Sequence, residues 1–212
     1  MPGSPPESEE FLYHLYRGSD MLMQNRVGEA KDALEQALAL QPQDAKGQDL
    51  LAGVYFRLGV YPRAIEIWER LVAAYPKDAT LRVNLALALF KTGQADEALS
   101  HVHAALRIQP DHERAWGYLG LINWRSGRFE AARDAFLRGG QATMARRMED
   151  VLARPRADEI GEDAATRERE EREMRSAAEE ALAQLEDGKP LPMAVDGGSS
   201  SERPAGGWRT IE

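Results

Sequence analysis

The chain has 212 residues, 43% hydrophobic and 29% charged, enough to bury a core over part of its length. It contains no cysteine, which excludes disulfide scaffolds, thiolate zinc sites and cysteine nucleophiles and fits a reducing, cytoplasmic setting. The net charge of −8 sits entirely in residues Asp158–Asp187, with 12 acids and 4 arginines, while the remainder balances 23 acids against 23 bases; the basic footprint that nucleic-acid binding needs is missing.

The opening Met1–Glu10 has neither a basic start nor an apolar stretch, so no secretory leader is expected, and residues 1–10 read as disordered. No apolar run later in the chain approaches the ~18–20 residues of a membrane span.

From residue 11 the chain repeats itself every 34 residues. Pro42, Pro76 and Pro110 keep that step, as do Ala30, Ala64, Ala98 and Ala132. Gly59, Gly93 and Gly127 keep it too, with Asn25 in the equivalent place one unit earlier; Asn is the residue other than glycine that best tolerates a left-handed backbone. Each unit reads as helix, turn, helix. In the second, Leu51, Ala52, Tyr55 and Leu58 recur at helical spacing, Gly59 breaks the run, and Ala64, Ile65, Trp68, Leu71 and Val72 restart it. The small residues Gly18, Ala52, Ala86 and Gly120 are placed for close helix approach, with Leu34, Trp68, Val102 and Phe136 filling the next layer. No strand is expected anywhere.

This pattern resembles the tetratricopeptide repeat, whose 34-residue unit has Trp, Leu, Gly and Tyr in its first helix and Ala, Phe, Ala and Pro in its second. The resemblance implies an all-α, right-handed solenoid with repeats at 11–44, 45–78, 79–112 and 113–140. A capping helix over 141–153 would carry Met144, Met148, Val151 and Leu152 as its apolar stripe. It also implies protein–protein interaction through the groove lined by the first helix of each repeat. Carried over position by position, that groove holds Lys46, Leu50, Phe56, Arg57, Asn84, Leu87, Phe90, Lys91, Arg114, Tyr118, Leu121, Trp124 and Arg125. It reads as an aromatic ladder flanked by a cationic one, suited to an apolar or amphipathic helix with acidic flanks. The asparagines that hold extended peptides in many such proteins are replaced by Ser19, Gly53, Leu87 and Leu121, and the chaperone carboxylate-clamp positions hold Leu15, Ser19, Thr80 and Asn84. More distantly, the array with its acidic tail is similar to the N-terminal part of larger bacterial proteins that continue into a β-rich mitochondrial-biogenesis-type domain.

Beyond the repeats, residues 154–187 read as an acidic Glu/Arg-rich helical extension with a narrow Met174, Ala178, Leu182, Leu185 stripe, and 188–212 as a flexible tail rich in Pro, Gly and Ser. Chemistry is hard to find. His101 and His103 lie at i and i+2 of a helix, on opposite sides, and cannot grip one ion. The other two histidines, His14 and His112, read with them as surface residues. Gly139-Gly140-Gln141 matches the tripeptide of peptide-chain release factors but falls where a repeat helix must end. No catalytic residue, metal or cofactor is expected. The expected partner is a protein or peptide, with two alternatives open: a regulatory module whose tail occupies its own groove, or a self-associating structural protein.

Overall fold

The computed structural model describes residues 5–153 and, beyond them, residues 169, 172, 173, 176, 177, 179 and 183. The reading of 188–212, and most of that of 154–187, falls outside the described residues. Within 5–153 the chain forms α1 (Pro5–Met23), α2 (Val27–Leu40), α3 (Ala45–Arg57), α4 (Tyr61–Ala74), α5 (Ala79–Lys91), α6 (Ala95–Ile108), α7 (Glu113–Arg125), α8 (Phe129–Arg138) and α9 (Ala142–Ala153). Each helix packs on its neighbours in the chain, with α1 also touching α3 and α5 touching α7. No strand occurs among the described residues.

The 34-residue step is written into the hydrogen bonds. Helices α3, α5 and α7 start on a side-chain cap: Asp44 accepts from Gly47 N–H at 2.6 Å, Asp78 from Leu81 N–H at 3.0 Å, and His112 Nδ1 from Ala115 N–H at 3.3 Å. The turn into each even-numbered helix uses a left-handed residue: Asn25 (φ 58°), Gly59 (74°), Gly93 (87°) and Gly127 (71°). The next residue's N–H then reaches five residues back, from Arg26 to Met21 at 2.8 Å, and from Val60 to Tyr55, Gln94 to Leu89 and Arg128 to Asn123 at 2.9 Å. That is the 6→1 bond that closes a helix C-terminus. After α2, α4 and α6 the proline carbonyls are taken by three different chemistries at one register: Gln48 Nε2 on Pro42 O (2.7 Å), Arg82 Nη2 on Pro76 O (2.8 Å) and Trp116 Nε1 on Pro110 O (2.7 Å).

Between the two helices of each repeat the small residues do what their size permits. Ala30, Ala64, Ala98 and Ala132 are wholly buried, as are Leu34, Trp68, Val102 and Phe136. A Cβ added to Gly18 would lie 2.6 Å from Leu34 Cγ, and one added to Gly120 would lie 2.5 Å from the Phe136 ring. Helix α9 caps the array by burying Met144, Ala145 and Met148 against α8. Leu152, at the end of the expected stripe, is exposed.

Two expectations are corrected. Helix α1 begins at Pro5, so residues 5–10 are helical rather than disordered; proline is tolerated in a first helical turn. The histidines are not a surface set. His112 is buried as a cap, His14 and His101 are half-buried, and His103 alone of the four is exposed.

Candidate interaction face

The inner face is made by the first helices of the repeats: α1, α3, α5 and α7. Of the residues assigned to it, Leu50, Phe56, Asn84, Leu87, Phe90, Tyr118, Leu121 and Trp124 are buried. Lys46, Lys91 and Arg114 are half-buried, and Arg57 and Arg125 are exposed.

Two of the ladder aromatics turn inward. The Phe56 ring packs against Tyr61 and Trp68 of α4, with centroids 5.4 and 6.1 Å away, and Trp124 meets Phe136 of α8 edge-on at 6.4 Å. They join the two helices of one repeat. The cations join repeats. Arg57 Nη1 donates to Leu22 O at 2.8 Å, and Arg125 Nη2 donates to Phe90 O at 3.4 Å while its guanidinium lies 4.1 Å from the Phe90 ring centroid. Each places a positive charge on the last turn of the preceding inner helix, where free carbonyls and the helix dipole favour it. Lys46 lies over the Tyr16 ring at 5.7 Å. Arg114 donates to Tyr118 Oη at 3.0 Å, and Lys91 and Tyr118 are engaged further.

Beneath this face lies a buried polar node. Asp49 Oδ1 accepts from Trp68 Nε1 at 2.7 Å and from Asn84 Nδ2 at 3.4 Å, tying α3, α4 and α5. Asn84 Oδ1 and the Nε and Nη1 of Arg114 are shut off from solvent with no hydrogen-bond partner among the described residues. Sequence reasoning missed this node, although a lone acid amid Leu50, Leu51 and Ala52 was a visible signal. It also missed His112. Burial, and then Arg114, hold that imidazole's pKa below its ordinary value; burial, and then Arg82, do the same for His101. The alignment of His112 with Asp44 and Asp78 at steps of 34 could have revealed the cap.

Elsewhere the pickings are thin. A cavity of about 460 Å³ at the seam of the first two repeats is lined by Leu38, Pro42, Leu51, Ile67 and Leu71, with Arg70 its charged residue. Among the described residues, no group of three or more His, Asp or Glu side chains could hold a metal ion, and no helix is long and apolar enough to cross a membrane. Gly140 (φ 74°) ends α8, and Gln141 N–H bonds Phe136 O at 2.8 Å, so the Gly-Gly-Gln tripeptide is a helix terminator here.

Residues 83–143 match the family model of the tetratricopeptide repeat, and residues 23–105 match that of the anaphase-promoting complex, cyclosome, subunit 3. The chain belongs to the tetratricopeptide-repeat family. Among curated proteins it is 29% identical over 103 residues to the TPR repeat-containing thioredoxin TTL4 of Arabidopsis thaliana, covering 49% of this chain and 15% of that one. It is 25% identical over 125 residues to the Hsp70-Hsp90 organizing protein of Triticum aestivum, covering 58% and 22%. The chain thus spans less than a quarter of either relative's length. Among solved structures, MamA from Desulfovibrio magneticus RS-1 superposes with a TM-score of 0.56 at 21% identity, covering 61% of this chain and 73% of that one, a likeness of fold.

Proposed function

We propose that this chain is a non-enzymatic docking scaffold of the cytoplasm, whose inner face seats an apolar or amphipathic helix with acidic flanks from a protein partner. The observation that carries this reading is the composition of the face: Leu50, Leu87, Tyr118 and Leu121 form its floor, and Lys46, Lys91 and Arg114 stand at its edge. An apolar floor rewards burial of an apolar helix face, and a cationic rim selects acidic flanks and speeds encounter. A relative named as an organizer of two chaperones supports a protein as the class of partner. The chaperone carboxylate clamp itself is not matched, since Leu15 and Thr80 stand where it needs polar and basic groups and Leu15 is buried in the core.

Because Phe56 and Trp124 also hold the two helices of their own repeats together, the discriminating variant is Leu87→Ala with Leu121→Ala. Partners captured by the parent are identified by mass spectrometry, and the affinity of a purified one is measured by calorimetry. The double variant is expected to keep its helical circular dichroism and lose affinity by about tenfold or more. Unchanged affinity would place the docking site elsewhere.

A further inference from the structure

The inner face is closed rather than open. Eight consecutive residues of α5, Val83–Phe90, are buried, and so are eight of α7, Gly117–Trp124. A helix turns once every 3.6 residues, so such runs leave no side of either helix in water. Leu87 is 0% exposed and Leu121 2%, although the repeat register assigns both to the inner face. In an array of two helical layers an inner face meets solvent, so burial this complete calls for a cover. Among the described residues outside α1–α9, Ala177 packs against the hydrophobic core.

The residues around Ala177 show how that cover is built. Residues 169, 172, 173, 176, 177, 179 and 183 are helical. Arg169, Arg172, Glu173, Ser176, Glu179 and Ala183 are exposed and recur at steps of three and four, tracing one helix face, with Arg169 Nε donating to Glu173 Oε1 at 3.0 Å. In the sequence, Met174, Ala178, Leu182 and Leu185 recur at the same steps of three and four, offset by about half a turn from these exposed residues, and Ala177 is half-buried.

We propose that the resting occupant of the inner face is the chain's own Glu/Arg-rich extension, residues 158–187, docked through its Met174, Ala178, Leu182, Leu185 stripe. This rests on the docking function proposed above and names what an outside partner must displace. Charge supports it, because the extension carries the whole net −8 and the rim offers Lys46, Lys91 and Arg114. The path is long enough. The 15 residues 154–168 reach ~50 Å when extended, against ~8–10 Å between neighbouring helices. Tethered occupancy of this kind holds even a weak contact largely closed.

The absence of cysteine allows a direct test in the full chain. Leu121→Cys reports on the face and Val102→Cys, wholly buried between helices, reports on the scaffold. The rate of thiol labelling is measured for each, with and without the triple change Met174→Glu, Leu182→Glu, Leu185→Glu, and at two protein concentrations. The expected result is slow, concentration-independent labelling of Leu121→Cys that becomes about tenfold or more faster in the triple variant, while Val102→Cys stays protected. Fast labelling of Leu121→Cys in the otherwise unchanged chain, or protection that survives the triple change, overturns the proposal. Protection that fades on dilution assigns the cover to a second copy and also overturns it. Loss of protection at both cysteines makes the extension part of the core rather than an occupant, a further refutation. None of these outcomes tests the affinity for an outside partner, so the docking function stands or falls on its own experiment.

Discussion

Helices α1 and α5 occupy the same place in successive repeats yet differ in how much of their surface meets water. In α1, Phe11, Leu15, Gly18 and Leu22 form one buried stripe at steps of three and four. Its other side exposes Tyr13 (60%), Tyr16 (61%) and Met23 (63%). In α5 no side is open. A repeat frame alone would give both helices one exposed face, so the difference comes from what lies on top of them. Helix α1, the first inner helix, has α3 on one flank, whereas α5 has α7 beside it and an inner face that is buried. On the proposal above, apolar exposure at α1 and apolar burial at α5 mark where the docked extension ends.

The largest effect that would sharpen this contrast is expected in the covered middle. Trp68 is wholly buried, touches Phe56 and donates to Asp49, so Trp68→Ala leaves a cavity and strips a buried carboxylate of a donor. A loss of ~3–5 kcal/mol in urea unfolding is expected. Tyr16→Ala on the open side of α1 should shift stability by no more than ~0.5 kcal/mol. Similar losses at the two positions would dissolve the distinction.

A smaller effect separates two glycines that share one register. The Cβ of Gly120→Ala would fall 2.5 Å from the Phe136 ring, which is itself held edge-on by Trp124 and has little room to yield. The Cβ of Gly18→Ala would fall 2.6 Å from Leu34 Cγ and 2.8 Å from its Cδ2, atoms of an aliphatic side chain that can change rotamer more easily than a ring. Overpacking of about 1–3 kcal/mol is expected for Gly120→Ala and a smaller loss for Gly18→Ala, read from thermal or denaturant midpoints. Equal losses would mean that the two ends of the array are equally free to relax, and the reverse order that Leu34 yields less than Phe136.

The array was legible because its determinants are local and periodic. A left-handed turn residue, a small residue at the helix crossing and a proline after the second helix each act within a few positions, so Gly59, Ala64 and Pro76 could be recognised without their neighbours in space. The inner face was legible only as a set of positions. Whether Leu87 meets water depends on what packs over it in space, which no local pattern contains, and whether Phe56 lines a groove or fills a core depends on the rotamer that Trp68 and Tyr61 leave open to it. Arg57 and Arg125 show the same limit. Their spacing marked a cationic ladder, but only geometry shows each guanidinium bound to a carbonyl of the preceding repeat. The extension's amphipathic stripe was visible from its 3.6-residue period, and its partner surface was not.

The smallest expected effect concerns the caps, where α7 differs chemically from α3 and α5. Asp44 and Asp78 cap with carboxylates, whereas His112 caps with a neutral imidazole nitrogen. Protonation would turn that acceptor into a donor facing the Ala115 N–H. Burial is the first reason why the folded protein resists this, and the neighbouring Arg114 charge the second; Asp111 and Asp78 act in the opposite direction. The folded-state pKa of His112 therefore lies below its unfolded value of about 6.5. The unfolded chain binds the proton first as pH falls, so the stabilisation is fully present above that value and is lost as pH drops through the folded pKa. His112→Asn keeps a capping oxygen that does not titrate, so its unfolding midpoint should change less between pH 7 and mildly acidic pH than the parent's, by an amount on the order of 1 kcal/mol, the worth of one cap. His112→Ala should lose about that much at pH 7 and gain the same flat profile. His101, whose pKa is also lowered, contributes equally to parent and variants and cancels in the difference. An identical pH slope in His112→Asn and the parent would show that the cap on α7 is insensitive to the charge of residue 112, and that the three caps are equivalent after all.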